Sequence, residues 1–430
     1  MMTPNNDPQT FNFRGYLFFW IGQLQSILGS TIVQFAIVLW IAFETESAMF
    51  LALAALLGFA PMVLLFPVAG VLVDRWQRKK VIASMDFLQA FVTIGLVYLF
   101  WIGEANVWWV LLAAGLRAIF QAFHMPATQA IMPLMVPREK LSRMNGLQIL
   151  MGGAIGMIGP PIAALLMIHW EMYEILLFDP ITFVFAIIPV LLVRIPEIQK
   201  DREAEAKPSF KSEFTEGIVF IKEKRGLLSL LSVFTAVNFF VQPLIILLPL
   251  FVIQRHSGGE VEIALLFAFH QAGMLAGSVL MSTWKGFKNN VFGVVAGTFF
   301  GYIGFLLIAV APADSNFFWM LIIGMMIEGF MIPIANVSSQ TIWQQVVPPE
   351  KMGRVMSVRM TIAWIAIPLG MVLAGIFGEL IGIQTLFLIC IGLGVTLLAY
   401  SWFLTGLPDV ERILIPDEVS LPSPAPIPES

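Results

Sequence analysis

Long apolar segments alternate with short polar segments along almost the whole of this chain. Each apolar segment has about 20 residues or more, the length that a helix needs to cross a bilayer core of about 30 Å. The pattern predicts twelve membrane-spanning helices, over residues 14–42, 49–73, 80–102, 107–134, 141–169, 172–193, 227–254, 261–283, 289–311, 317–345, 353–380 and 384–405. We therefore expect an all-α membrane protein with twelve transmembrane helices.

The loops between these spans differ in charge on the two sides of the membrane. Basic residues gather in the loops after spans 2, 4, 6, 8 and 10, with eight from Arg194 to Arg225. The opposite loops carry mostly acidic residues, such as Glu44, Glu104 and Glu260. We call these two sides the basic face and the acidic face. Because Lys and Arg collect in short cytoplasmic loops, we expect a multi-pass cell-membrane protein with both termini in the cytoplasm.

Composition excludes several classes of protein. The chain is 58% hydrophobic and 12% charged, with a mean hydropathy of +0.86, whereas soluble proteins carry about 25% charged residues. The four histidines are scattered without metal-ligand spacing, so we expect no metal site. The sequence has no His-Glu-x-x-His, no Gly-x-Gly-Asp and no Gly-Lys dipeptide. We therefore expect no enzyme, no phosphate-binding loop and no cofactor.

An internal repeat divides the chain in two. Residues 128–143 can be laid over residues 339–354 without a gap, at a constant offset of 211, with matches such as Gln129/Gln340 and Arg143/Arg354. This is the plan of transporters built from two parallel six-helix repeats, whose substrate site lies near the bilayer midplane. We predict an N-terminal half over 1–193, a cytoplasmic linker over 194–226 and a C-terminal half over 227–405.

The linker and the tail have their own patterns. In the linker, Phe210, Phe214, Ile218 and Ile221 recur at helical spacing, which predicts an amphipathic helix lying on the membrane. A helix that binds a partner is the alternative. Residues 406–430 are rich in proline and predict a disordered cytoplasmic tail.

Polar residues inside the spans are energetically unfavourable in contact with lipid, so they should face an interior cavity. Two stripes with helical spacing meet this description. They are Gln23, Ser26, Ser30 and Gln34 in span 1, and Thr235, Asn238 and Gln242 in span 7; His270 lies midway along span 8. We expect these residues to line the substrate cavity, the alternative being hydrogen bonds between helices.

Four charged residues lie deeper in the spans. Arg117 in span 4 and Glu328 in span 10 are 211 residues apart, so they occupy matching positions in the two halves. They could couple protons to transport across the cavity, form a permanent clasp, or pair separately within each half. Asp179 in span 6 and Asp86 in span 3 are further proton-coupling candidates, and their alternative role is to hold helices together.

Small residues predict close helix packing, as small-x-x-x-small patterns do in membranes. Gly152, Gly156 and Gly159 are predicted to share a face of span 5, followed by Pro160. Gly370 begins a similar series in span 11. We expect these faces to form the surfaces on which the halves rock.

A short charged hairpin separates spans 2 and 3. Its pattern is Gly70-x-Leu72-x-Asp74-Arg75-x-x-Arg78-Lys79. It resembles the loop motif between helices 2 and 3 of the major facilitator superfamily, the alternative being a plain basic anchor. The resemblance implies that Asp74 acts as a latch that docks near the start of helix 11, here Gly353-Arg354.

Further motifs resemble the bacterial drug-exporting branch of this family, which includes macrolide efflux pumps and the enterobactin exporter. Arg117 with Phe123-His-Met-Pro126-Ala127 is similar to its span 4–5 signature, and Asp179-Pro-Ile-Thr-Phe183 to its span 6 pattern. Gly159-Pro160 resembles an antiporter motif, although Ala163-Ala164 replace its Gly pair. The resemblance implies proton-coupled efflux of amphipathic drugs, macrolides or siderophores.

The expected partners follow from this interpretation. They are a small-molecule substrate, protons or another coupling ion, and the lipid bilayer, with no nucleic acid and a monomeric chain. The alternatives are an importer, a symporter or a lysolipid translocator of the same fold. A non-transporting receptor is more remote, because it would not need a repeat with matched buried charges.

Overall fold

A computed structural model describes residues 12–194, 210–405 except 315 and 317, and 407–410. The proline-rich tail beyond 410 and the first part of the linker lie outside the described residues. The described part of the chain is helical and contains no strand. Twelve of its helical segments are long and apolar enough to cross a membrane, which confirms the predicted fold class.

Helices α1–α16 follow one another in chain order. They are α1 Phe13–Thr45, α2 Ala48–Arg75, α3 Arg78–Trp101, α4 Val107–Gln129, α5 Met132–Met135, α6 Arg138–His169, α7 Met172–Leu176, α8 Phe178–Leu192, α9 Phe210–Glu223, α10 Arg225–Ile246, α11 Leu248–His256, α12 Glu260–Thr283, α13 Asn290–Val310, α14 Phe318–Val346, α15 Pro349–Ile381 and α16 Ile383–Leu404. Six spans precede α9 and six follow it, with a 3₁₀ turn at Leu407–Asp409.

Three predicted spans are broken into two helices, and proline accompanies each break. Span 4 is α4 and α5, span 6 is α7 and α8, and span 7 is α10 and α11. Pro133, Pro180 and Pro249 each lie in the first turn of the second helix of the pair. Proline lacks the N–H that would continue the hydrogen-bond ladder, but it fits the first turn of a new helix.

The buried apolar residues form three clusters that show where the two halves meet. One cluster lies toward the acidic face and draws residues from both halves, for example Leu39, Leu51, Leu247 and Phe387. Toward the basic face each half has a cluster of its own. We call these the shared cluster and the two separate clusters. The two halves therefore pack against each other on the acidic side and have separate cores on the basic side.

Polar contacts reinforce the junction on the acidic side. The Ser47 hydroxyl donates a hydrogen bond to the Glu379 carboxylate, and the Met49 backbone N–H lies 3.1 Å from the same oxygen. The Gln254 amide donates to the Glu46 carbonyl oxygen at 3.2 Å. These bonds tie α1 and α2 of one half to α11 and α15 of the other.

The small residues of α6 pack as predicted only in part. A side chain at Gly156 would meet Gln271 of α12, in the other half, whereas Gly159 abuts Thr31 of α1 within its own half. The prediction for Gly152 is wrong, since a Cβ there would find nothing within 4 Å. The next residue, Gly153, faces Leu275 instead, because each helix step rotates the side chain by about 100°.

In α15, Gly370 packs against Phe239 and Gln242 of α10, within the C-terminal half. It is therefore not a contact between the halves. That contact lies further along α15, where Gly375 faces Ala52 and Gly378 faces Ala48. A continuous face of small residues thus serves two neighbours.

Helix α9 in the linker does not lie apolar face down on the membrane. Its apolar residues Phe214, Ile218 and Ile221 belong to the separate cluster of the C-terminal half, and Ile221 is 2% exposed. Gly217 allows the helix to approach the Arg354 backbone at the start of α15. Burial against protein removes this apolar face from water as effectively as burial in lipid would.

Candidate functional site

A cavity of about 610 Å³, which we call the larger cavity, lies mostly within the N-terminal half. All four residues of the predicted span 1 stripe line it, namely Gln23, Ser26, Ser30 and Gln34. Pro160 also lies on its wall. At the acidic side the cavity ends at Leu51, Ile245 and Phe267, which belong to or pack against the shared cluster. Drug-sized ligands occupy pockets of this size.

The residues predicted to line the cavity from spans 7 and 8 do not line it, contrary to the prediction; they are Thr235, Asn238, Gln242 and His270. Asn238 and Gln242 line a smaller cavity of about 210 Å³ in the C-terminal half. The Asn238 amide also donates to the Ala363 carbonyl oxygen at 3.0 Å, and the Thr235 hydroxyl bonds the Leu231 carbonyl of its own helix. Where the halves meet, Phe35 and Phe267 line the larger cavity and pack edge to face, with their ring centroids 5.5 Å apart.

Arg117 is paired with Asp179, so helices α4 and α8 are joined by a buried ion pair. Ser30 of α1 donates to Asp179 Oδ1 at 2.5 Å, and Thr93 of α3 donates to Oδ2 at 2.9 Å. Arg117 also bonds the Thr93 hydroxyl. A buried ion pair is stable only when further hydrogen bonds satisfy it. Four helices of the N-terminal half converge on this network.

Asp86 of α3 faces His124 of α4, and both line the larger cavity. His124 Nε2 lies 2.9 Å from Asp86 Oδ1. The second carboxylate oxygen, Oδ2, has no hydrogen-bond partner among the described residues. The pair joins two helices, which was the alternative role for Asp86, but it leaves one buried oxygen unsatisfied.

Glu328 of α14 faces His270 of α12 in the C-terminal half. His270 Nε2 lies 2.6 Å from Glu328 Oε2, although the N–H does not point along the line of a hydrogen bond. Glu328 is 4% exposed and lines the smaller cavity. Histidine compensates a carboxylate only when it is protonated. This pair can therefore be compensated or not, depending on one proton.

Arg117 and Glu328 thus pair separately within each half. Of the three arrangements that the sequence left open, the structure has this one, and not the clasp between the halves. The repeat places the two residues at matching positions, but the partners differ. In one half the partner of the arginine is an aspartate, and in the other the partner of the glutamate is a histidine.

The loop motif is described in part. Gly70 has open space around it, Arg78 donates to the Ala130 carbonyl oxygen, and Lys79 donates to the carbonyl oxygens of Leu191 and Val193. The side chains of Asp74 and Arg75 lie outside the described part of the structure. Arg354 Nη1 lies 2.5 Å from Glu216 Oε2 of α9. The sequence pattern did not predict this partner.

Two residues of these buried polar networks, Thr93 and His124, were not predicted from the sequence as site residues. Thr93 lies seven residues after Asp86 and on the same buried face of α3, with Ala90 between them, so its helical spacing was a usable signal. His124 was noted only as part of a motif, and nothing in its spacing points to Asp86, which is 38 residues earlier.

Known proteins are similar to this sequence over most of its length. The family model described as Major Facilitator Superfamily matches residues 19–313 and 286–425. Macrolide efflux protein A of Streptococcus pyogenes is 32% identical over 370 residues, covering 86% of this chain and 91% of that protein. Macrolide efflux protein A of Enterococcus faecalis is 32% identical over 325 residues, covering 76% and 99%.

Solved structures show the same fold at low sequence identity. A mutant of the peptide transporter POT is similar with a TM-score of 0.72 and 10% identity, covering 93% of this chain and 96% of that one. A bacterial homologue of the iron transporter ferroportin in the inward-facing state has a TM-score of 0.68 and 14% identity, covering 90% and 98%. With its twelve spans in two halves and its matching family model, this chain belongs to the Major Facilitator Superfamily of membrane transporters.

Proposed function

We propose that this protein exports amphipathic small molecules by alternating access and is driven by protons that move in the opposite direction. The observation that carries the proposal is that the larger cavity and a pair sensitive to protons lie in different halves of the protein. The larger cavity lies in the N-terminal half, whereas the Glu328–His270 pair, which a proton can switch, lies in the C-terminal half. Similarity to macrolide efflux proteins supports the direction of transport.

The arrangement of the halves suits loading from the cytoplasm. We assign the basic face to the cytoplasm, with both termini there, because Lys and Arg concentrate on that side. The halves meet at the shared cluster on the opposite side and have separate clusters on the cytoplasmic side. An exporter must receive its substrate in such a state. Rocking of one half against the other would then expose the cavity outside.

The Arg117–Asp179 and Glu328–His270 pairs differ in what a proton does to them. Arg117 is permanently charged, so Asp179 is compensated at any pH. Glu328 has His270 as its ionic partner, and imidazole gains its charge only with a proton. We therefore assign proton coupling to Glu328 and His270, and a structural role to Arg117 and Asp179. One chain contains both halves, so a monomer suffices for this cycle.

The proposal is tested by transport into inverted membrane vesicles. Drugs, siderophores and lysolipids would be offered outside, with an imposed gradient that makes the vesicle interior acidic. We expect at least one amphipathic compound to accumulate, and a protonophore to abolish the accumulation. Vesicles without the protein are the control. Accumulation only in right-side-out vesicles would contradict export, and accumulation that survives the protonophore would contradict proton coupling.

If the two halves rock against each other, a larger side chain at Gly156 should alter the balance between the two access states. Leucine there would press on Gln271 and hold α6 and α12 apart. We expect Gly156→Leu to fold but to disfavour the state in which the acidic side is closed. The measurement is labelling of a cysteine introduced at Ser26, on the cavity wall, from each side of the membrane.

Gly152→Leu is the matched control, since that position faces open space on the same helix. It should label from both sides as the parent protein does. Equal labelling of the Gly156→Leu and Gly152→Leu variants would show that the α6–α12 contact does not govern access.

A further inference from the structure

Glu379 occupies a place that its own helix does not favour. It lies two residues before the end of α15, on the acidic side. The last carbonyl groups of a helix have no partner within it and carry a partial negative charge, which repels a carboxylate. The last turn of α15 has no basic residue that would offset this repulsion. A stabilising partner for the Glu379 carboxylate therefore has to come from another element.

That partner is the N-terminus of α2, in the opposite half. Glu379 Oε1 accepts a hydrogen bond from the Ser47 hydroxyl, and the Met49 backbone N–H donates to the same oxygen at 3.1 Å. Ser47 is the N-cap of α2, and Met49 lies in its first turn. First-turn N–H groups have no partner within their helix and carry a partial positive charge, so they favour a carboxylate. The contact therefore compensates a helix end in each half.

Small residues bring α2 and α15 close enough for this contact. A Cβ added at Gly375 would lie 2.9 Å from the Ala52 Cβ. One added at Gly378 would lie 2.9 Å from the Ala48 Cβ. Small side chains let the backbones of membrane helices approach one another. The Glu379 carboxylate thus reaches α2 because the packing beside it is tight.

The contact belongs to one of the two access states. Toward the basic face the halves have separate clusters, and Gly70 of α2 and Gly353 of α15 have open space around them. Rocking that closes the basic side would part the acidic-side ends of these helices. A contact that is made in only one of two states shifts the equilibrium toward that state.

We infer that Glu379 is a latch residue that holds the acidic side closed by capping the N-terminus of α2 from the opposite half. It lines neither the larger nor the smaller cavity, so it acts on access and not on substrate binding. The side chain is exposed, so water replaces its partners when the halves part, and the latch biases the equilibrium without locking it. This inference goes beyond the proposed function, because it holds for either direction of transport and for any coupling ion.

The experiment measures access to the cavity and requires no transport. A cysteine is introduced at Ser26, on the wall of the larger cavity, and its rate of labelling by a membrane-impermeant maleimide is recorded from each side. The native Cys390 is 1% exposed and should not react, which protein without the introduced cysteine checks. We expect Glu379→Ala to raise labelling from the acidic side by about tenfold, with no rise from the basic side. Glu379→Gln keeps an acceptor oxygen and should raise it less.

The matched control is Glu104→Ala, which removes another exposed carboxylate on the acidic side. It should leave both labelling rates as they are in the parent protein. Unchanged rates in Glu379→Ala would overturn the inference, because the contact would then have no influence on access. An equal rise from both sides would overturn it as well, because general loosening of the packing is not the opening of one side.

Ser47→Ala tests the pairing itself. The Ser47 hydroxyl also accepts from the Phe50 N–H, but that bond lies within α2 and is the same in both access states. Only the bond to Glu379 should therefore affect access, and we expect a smaller rise in acidic-side labelling than in Glu379→Ala. The double variant should label no faster than Glu379→Ala alone. If the two effects multiply, the residues act independently and the latch is refuted.

The outcomes separate this inference from the proposed function. Acidic-side labelling that depends on Glu379, in a protein that moves no compound in vesicles, would uphold the latch and refute export. Proton-driven export with labelling unchanged in Glu379→Ala would uphold the function and refute the latch.

Discussion

Replacing Glu328 with glutamine is expected to make substrate flux independent of pH while substrate binding is retained. Glutamine keeps the shape of the side chain but replaces one oxygen with an NH₂ donor and cannot bind and release a proton. The residue is separated from the larger cavity and faces His270 in the C-terminal half, so the substrate contacts should survive. The measurement is flux against pH in proteoliposomes, with substrate affinity determined on the same preparation.

Two further variants sharpen this prediction. His270→Gln removes the other half of the pair and should flatten the pH profile as well. Glu104→Gln alters an exposed carboxylate and should leave the profile unchanged. If folded Glu328→Gln protein keeps the parent's pH dependence, Glu328 is not the proton carrier. The Asp86–His124 pair is then the next candidate, because it too contains an imidazole that gains charge with a proton.

Removing Arg117 is expected to destabilise the protein strongly. The Arg117 and Asp179 side chains are 13% and 7% exposed, so Arg117→Met leaves a buried carboxylate without its cation. Breaking a buried ion pair on one side costs about 3–5 kcal/mol. Thermal unfolding in detergent measures the effect, and Lys285→Met at an exposed position should change stability by less than about 0.5 kcal/mol.

The double variant Arg117→Met with Asp179→Asn separates pairing from packing. It removes both charges together, so it should recover much of the stability that either single change loses. Ser30 and Thr93 remain available to hydrogen-bond the new amide. If the two single losses simply add in the double variant, the two side chains do not act as a pair, and the structural role assigned to them is wrong.

The features that the sequence predicts well are those that a one-dimensional pattern contains. The twelve spans follow from apolar segment length, and the four cavity residues of α1 follow from helical spacing along one helix. Both depend only on residues that are near one another in the chain. The repeat likewise identifies Arg117 and Glu328 as matching positions without any structure.

The features that the sequence does not predict depend on how helices are rotated and crossed. Matching positions in a repeat say nothing about partners, so neither the Arg117–Asp179 pair nor the His270–Glu328 pair could be chosen over a clasp between the halves. The Gly152 prediction is wrong because the face of α6 that meets α12 is one residue further along. The apolar face of α9 is equally suited to lipid and to protein, and only packing decides between them.

The central claim is that substrate export and proton entry are one exchange process. Its most direct test is to record proton movement in proteoliposomes that contain a pH-sensitive dye, with no gradient imposed at the start. Adding a transported substrate to one side should drive protons toward that side, and Glu328→Gln should abolish this movement without abolishing substrate binding. Substrate flux that crosses the membrane with no accompanying proton movement would contradict the account.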